Sequence, residues 1–207
     1  MNLCDRLLLY IIADSRYGKE EEIAETVLRC GATAVQLRTK DLADRDIYEK
    51  AKKIRKIADE YSALFIVNDR VDLAILSGAD GVHLGAKDLP IKVVKEKFPE
   101  LIVGATVRNT VQAKKAIKDG ADYLGAGSVF PSPTKKAKVI GVDGLKKIVN
   151  CSKVPVVAIG GITLNKIKDV MKTGVCGIAV ISGIMAYEDI CEGVKKFRKE
   201  IFNSLHG

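Results

Sequence analysis

The feature that most constrains the fold of this chain is a junction that recurs four times. Cys30-Gly31-Ala32-Thr33, Ser77-Gly78-Ala79-Asp80, Asp119-Gly120-Ala121-Asp122 and Thr173-Gly174-Val175-Cys176 each close a helix-like stretch and open an apolar run. Glycine suits the left-handed residue that follows a helix, and the residues after it begin a buried strand. The copies lie 47, 42 and 54 residues apart. Each interval holds two strand-helix units, so four double units imply eight strands.

The intervening pattern agrees. Apolar runs at residues 7–13, 33–37, 63–67, 80–84, 101–106, 122–125, 155–159 and 177–181 read as strands. They are continuous, as expected for parallel strands covered on both faces. Residues 19–30, 44–61, 70–77, 90–98, 109–119, 142–149, 165–173 and 187–202 read as amphipathic helices. Strict alternation predicts an α/β chain forming a single domain over residues 1–207, a (β/α)8 TIM barrel with few insertions. A doubly wound open sheet is the alternative, and no Gly-x-Gly-x-x-Gly follows the first strand to support it.

Composition narrows the partners. The formal charge of +8 raises the question of nucleic acid, but Lys and Arg alternate with Asp and Glu along predicted helices, and only 5% of residues are aromatic. Stacking platforms for bases are therefore scarce. No run is long enough to span a membrane, and no cleavable signal pattern opens the chain. The expected partners are small molecules, without nucleic acid or membrane, and a homo-oligomer is left open. The five cysteines (Cys4, Cys30, Cys151, Cys176, Cys191) are scattered, with no Cys-x-x-Cys. They read as small buried hydrophobes rather than metal ligands or disulfides, which suits a reducing cytoplasm.

Polar residues gather at the carboxyl ends of the strands, where parallel α/β folds bind ligands. In Val35-Gln36-Leu37-Arg38-Thr39-Lys40 the period of a strand puts Gln36, Arg38 and Lys40 on one face. An arginine and a lysine there suit a diphosphate clamp, or else a salt bridge within the barrel. Asn68, Asp69 and Asp88 form a candidate magnesium site, since that ion takes hard oxygens from one or two carboxylates, phosphate and water. Asp88 is alternatively a cap for the next helix. After the sixth strand, Ser132, Pro133, Thr134 and Lys135 bring hydroxyls and a charge on a proline-stiffened loop. Gly160-Gly161 and Ser182-Gly183 follow strands seven and eight, the recurrent phosphate site of barrels. His83 is either a general base or a satisfied interior histidine. No Ser-His-Asp or Cys-His set can be assembled, which argues against hydrolysis through a covalent intermediate.

Taken in order, LLLYIIAD, VQLRTK, FIVNDRVDLA, GADGVHLG with Asp88, GADYLGAGSVFPSPTKK, VPVVAIGGI and IAVISGI resemble the thiamine-phosphate synthase family over nearly the whole chain. The resemblance implies a magnesium-dependent transferase that joins an aminomethylpyrimidine diphosphate to a thiazole phosphate. It implies that Gln36, Arg38, Lys40 and Asn68 hold the pyrimidine diphosphate, with Thr106 near the ring where relatives carry serine. Asp69 and Asp88 match the magnesium ligands and Lys135 the lysine reaching the diphosphate. Ser132, Pro133, Thr134, Gly161, Ile181 and Ser182 match the thiazole-phosphate contacts. Ser132 for threonine keeps the hydroxyl, Ala137 replaces an acid, and Arg108 stands where many relatives have histidine. Three rivals are a thiazole tautomerase-like enzyme, another phosphosugar barrel and a non-catalytic phosphate-binding relative. The cationic and acidic set favours the synthase, with Lys135, Arg38 and Lys40 as catalytic charges.

Overall fold

The computed structural model describes residues 2–39, 42–132 and 138–206. Eight strands form a closed parallel barrel in chain order: β1 (Leu9–Asp14), β2 (Ala34–Arg38), β3 (Leu64–Asn68), β4 (Gly81–Leu84), β5 (Ile102–Val107), β6 (Tyr123–Gly127), β7 (Val156–Ile159) and β8 (Gly177–Val180). Pairing of Leu9 with Ile178 closes the ring. A short helix α1 (Leu3–Arg6) leads into β1, and α2 (Glu20–Arg29), α3 (Asp44–Glu60), α4 (Val71–Ser77), α5 (Ile91–Lys97), α6 (Thr110–Lys118) and α7 (Gly141–Cys151) follow the first six strands in turn. The seventh helix is split into a 3-10 turn (Leu164–Lys166) and α8 (Ile167–Met171); α9 (Ser182–Met185) and α10 (Ile190–His206) complete the chain. The predicted TIM barrel is the observed fold. Among the described residues no helix is long and apolar enough to cross a membrane.

The four junction glycines have φ of 107°, 71°, 97° and 87° at Gly31, Gly78, Gly120 and Gly174. A β-carbon is disfavoured there, so glycine marks these four places where a helix stops and the chain turns into the next strand. Alternate strand residues then divide into two cores. Ile11, Val35, Leu37, Phe65 and Val67 face outward under the helices, where α3 lays down Ile47, Ala51, Ile54 and Ala58 as one buried stripe. Tyr10, Ile12, Leu64, Ile66, Tyr123 and Val157 face inward and fill the barrel.

The cysteines correct the sequence expectation. Cys4 is bonded to Cys176 and Cys30 to Cys191, across 172 and 161 residues of chain, with Cα–Cα distances of 5.2 and 5.3 Å. Scatter along the sequence hid the pairing. Closure of the barrel sets the first unit beside the last, and that brings distant cysteines within bridging distance. Cys151 is the free cysteine, half-buried.

Candidate active site

The carboxyl ends of the strands surround one cavity. It reaches from the rim down to Tyr10, Ile12, Tyr123 and Val157 inside the barrel. Of the residues singled out in the sequence, Gln36, Arg38, Asn68 and Thr106 line it on one side and Ser132, Gly161, Ile181 and Ser182 on the other. Arg108 and His83 line it as well. Asp69 and Asp88 stand beside it and do not line it. Lys40, Pro133, Thr134, Lys135 and Ala137 lie outside the described residues.

The interior carries a chain of polar side chains. Gln36 Nε2 donates to Tyr10 Oη at 2.6 Å, and Tyr10 Oη is 3.1 Å from Tyr123 Oη. Tyr123 Oη is 3.0 Å from His83 Nδ1, and His83 Nε2 is 2.9 Å from Thr106 Oγ1. Buried polar groups need partners, and these five provide them for one another. Burial pushes the Tyr10 and Tyr123 phenols well above the ordinary range, so both are neutral. For His83 the satisfied-interior reading describes what the ring does within the barrel.

At the mouth, Arg38 donates to Asp14, the last residue of β1, whose side chain is 0% exposed. Arg16 grips the same carboxylate from the following turn, with both contacts at 2.7 Å. Burial would raise the Asp14 carboxyl, but the two guanidinium groups outweigh it and hold it below the ordinary range. Three charges sum to one positive charge at the rim. The barrel salt bridge anticipated for Arg38 therefore exists, and it leaves the guanidinium on the cavity wall. Sequence reasoning missed Asp14. Its signal was a carboxylate ending the first strand of LLLYIIAD, two residues before an arginine.

Asp69 follows β3 with φ of 63°, a left-handed conformation costly for a residue with a β-carbon. Its amide donates to the carbonyl of His83 at 2.9 Å, which fixes the turn. Partial desolvation and the neighbouring Asp88 push its carboxyl up to about 6. Asp88 accepts from the Gly85 amide at 2.6 Å, and the helix after it has no side-chain cap, so the capping role is not taken. Two carboxylates this close repel unless a proton or cation lies between them. Among the described residues no third histidine, cysteine or carboxylate joins them. Such a donor pair fits magnesium, whose shell is then completed by amide oxygen, water and phosphate.

The opposite side is built from backbone. Gly160 and Gly161 have φ of 100° and 65°. A β-carbon on Gly160 would meet Ser128 Oγ at 2.1 Å, and one on Gly161 would meet the Pro131 carbonyl at 2.2 Å. The loops after β6 and β7 are thus pressed together, joined by Phe130 N donating to Gly160 O at 3.0 Å. Lys166 Nζ donates to Gly161 O at 3.0 Å and lies 4.4 Å over the Phe130 ring. Ser182 and Gly183 open α9 just beyond, with Ile162 O only 2.3 Å from where a Gly183 β-carbon would be.

Comparison with known proteins agrees with this architecture. A family model described as thiamine monophosphate synthase matches residues 9–184. Curated relatives named thiamine-phosphate synthase, from Pyrococcus furiosus and Pyrococcus horikoshii, are 52% and 50% identical, covering 96% and 97% of this chain and 97% and 99% of theirs. The solved structure of thiamine phosphate pyrophosphorylase from Pyrococcus furiosus superposes with a TM-score of 0.94 at 50% identity, covering 99% of this chain and all of that one. On these grounds the chain belongs to the thiamine monophosphate synthase family, transferases of thiamine biosynthesis.

Proposed function

We propose that this enzyme joins 4-amino-2-methyl-5-(diphosphooxymethyl)pyrimidine to a thiazole phosphate, giving thiamine phosphate and diphosphate. The observation that carries this reading is one cavity with Arg38 on one wall and the Gly161 and Ser182 loops on the other. That arrangement suits two phosphorylated rings meeting in the middle. The bond between the pyrimidine methylene and the diphosphate oxygen breaks first, its electron pair leaving with diphosphate. The electron-rich aminopyrimidine supports the cation left on the methylene, and the lone pair of the thiazole ring nitrogen then forms the new carbon–nitrogen bond. That nitrogen carries no proton, so the chemistry asks for no general base.

The protein's task is orientation and charge. Gln36, Asn68 and Thr106 orient the pyrimidine, while Arg38, Lys40 and Lys135 take up charge on the departing diphosphate. Ser132, Pro133, Thr134, Gly161, Ile181 and Ser182 hold the thiazole phosphate. Magnesium held by Asp69 and Asp88 would supply further positive charge to the leaving group. Over residues 1–207 we infer one synthase domain acting in the cytoplasm without nucleic acid or membrane, with a homo-oligomer left open. Mixing the purified protein with both substrates and magnesium tests the reading. Diphosphate release that requires all three components is expected; release without the thiazole phosphate, or none at all, would sink it.

A further inference from the structure

The five hydrogen-bonded side chains inside the barrel do more than fill it. We propose that Gln36, Tyr10, Tyr123, His83 and Thr106 form a relay of one polarity that sets the donor and acceptor each end offers the pyrimidine, which makes Tyr10, Tyr123 and His83 positioning residues. The substrate in this statement rests on the function proposed above. The direction of the relay does not.

The Gln36 amide, whose Nε2 faces Tyr10 Oη, sets that direction, and proton counting carries it along the chain. A neutral phenol has one hydrogen to give, and a neutral imidazole has one donor and one acceptor nitrogen. Gln36 gives Nε2–H to Tyr10 at 2.6 Å. Tyr10 then gives its hydrogen to Tyr123 at 3.1 Å, and Tyr123 gives its own to His83 Nδ1 at 3.0 Å. His83 must therefore carry its hydrogen on Nε2 and give it to Thr106 Oγ1 at 2.9 Å. With Gln36 giving to Tyr10, reversing either link of Tyr123 leaves a phenol hydrogen without an acceptor, which is costly in a buried site. Tyr10 and Tyr123 are 1% and 0% exposed, so water cannot repair a broken link.

The strands are cut to fit these rings. A β-carbon at Gly104 would meet the Tyr123 ring at 2.1 Å, and one at Gly125 would meet His83 Cε1 at 2.8 Å. At its two ends the relay leaves the Gln36 carbonyl oxygen to accept and the Thr106 hydroxyl hydrogen to donate, both on the cavity wall. An aminopyrimidine offers the complement, an amino N–H beside a ring nitrogen lone pair. A 4-oxo ring would set an acceptor against the Gln36 carbonyl.

Nitrogen-15 NMR of the imidazoles tests the direction on the unaltered fold. The chain has two histidines, and a His206→Gln sample identifies His83. The expected spectrum has hydrogen on Nε2 and a bare Nδ1. In Tyr123→Phe, which keeps the ring, Nδ1 loses its donor, and the two tautomers are expected to mix. In Tyr10→Phe the Tyr123 link survives, so the tautomer should hold while Gln36 loses its partner. In both variants kcat/KM for the pyrimidine diphosphate should fall about tenfold, the cost of about one net buried hydrogen bond, with KM for the thiazole phosphate unmoved. A wild-type His83 protonated on Nδ1 would overturn the polarity. Unchanged tautomer and unchanged kcat/KM in Tyr123→Phe would overturn the relay. Should Tyr123→Phe fail to fold, the wild-type spectrum and Tyr10→Phe decide. Should the protein make no thiamine phosphate, the kinetic arm fails with the proposed function, and the tautomer still tests the relay.

Discussion

Asp69 and Asp88 set an electrostatic conflict beside the cavity. Asp69 titrates near 6 because its partly desolvated carboxyl faces a second one. Its pKa is raised in the folded state, so the repulsion is present above pH 6 and is relieved as pH falls and the proton binds. Asp88→Asn keeps the acceptor for Gly85 and removes the opposing charge. Without metal it should therefore unfold at a higher temperature than wild type near pH 8, and the gain should fade below pH 6; thermal scans across that range check it. In the wild type, magnesium competes with the proton, so the acid fall in activity should move to lower pH as magnesium is raised. Asp14 has the opposite sign. Its carboxyl is held low by Arg16 and Arg38, so its contribution is present above the unfolded value and lost as pH falls through the folded one. Asp14→Asn should cost up to about 3 kcal/mol by leaving two guanidinium groups without their anion, less than for a wholly buried pair because Arg16 reaches solvent. It should also weaken calorimetric binding of the pyrimidine diphosphate, because Arg38 loses its anchor. Unaltered binding would show that Arg38 needs no positioning.

Among the elements, the loops at the strand ends are more exacting than the helices. The helices are read from one buried stripe each, and α3 lays its stripe over β2 and β3 while its flanks meet α2 and α4. The loop after β7 has two left-handed glycines pressed against the loop after β6, where added atoms have no space to go. Gly161→Ala should cost about 1–3 kcal/mol in stability, from the left-handed alanine and the contact with the Pro131 carbonyl. It should raise KM for the thiazole phosphate at least tenfold, about 1.4 kcal/mol, while leaving KM for the pyrimidine diphosphate near its original value. Steady-state kinetics with each substrate varied in turn would check this. Equal effects on both constants would mean that the two ligands share one anion site.

At the scale of the whole molecule, the two disulfides join the beginning of the barrel to its end. Cys4 precedes β1 and Cys176 precedes β8, so that bridge lies at the amino-terminal end of the barrel, opposite the site. Cys30 closes α2 and Cys191 lies in α10, so the second bridge ties the first full helix to the last. Cross-links that enclose this much chain restrict the unfolded ensemble strongly, about 4–5 kcal/mol for one such loop by chain entropy, and less for a second that overlaps it. Reductant should therefore lower the denaturant midpoint by several kcal/mol equivalent while activity at ambient temperature persists. A Cys4→Ser, Cys30→Ser variant should not respond to reductant. Five reactive thiols in unfolded, unreduced protein would contradict both bridges.

What was legible in the sequence is what local physics controls. Burial period separates strand from helix within a few residues, glycine marks the four repeated helix ends because it sits easily at φ of 71–107°, and strand direction decides which end carries the polar residues. The alternation of Gln36 and Arg38 against Val35 and Leu37 followed from the same pleat. The tertiary structure alone decided the rest. Tyr10 meets Tyr123 across 113 residues, and Arg38 finds Asp14 across 24. Periodicity says that a side chain faces inward, yet which inward neighbours touch depends on how the strands are staggered around the closed ring. The disulfides, the anchored arginine and the interior relay all arise from that stagger, through contacts between residues that nothing local along the chain relates.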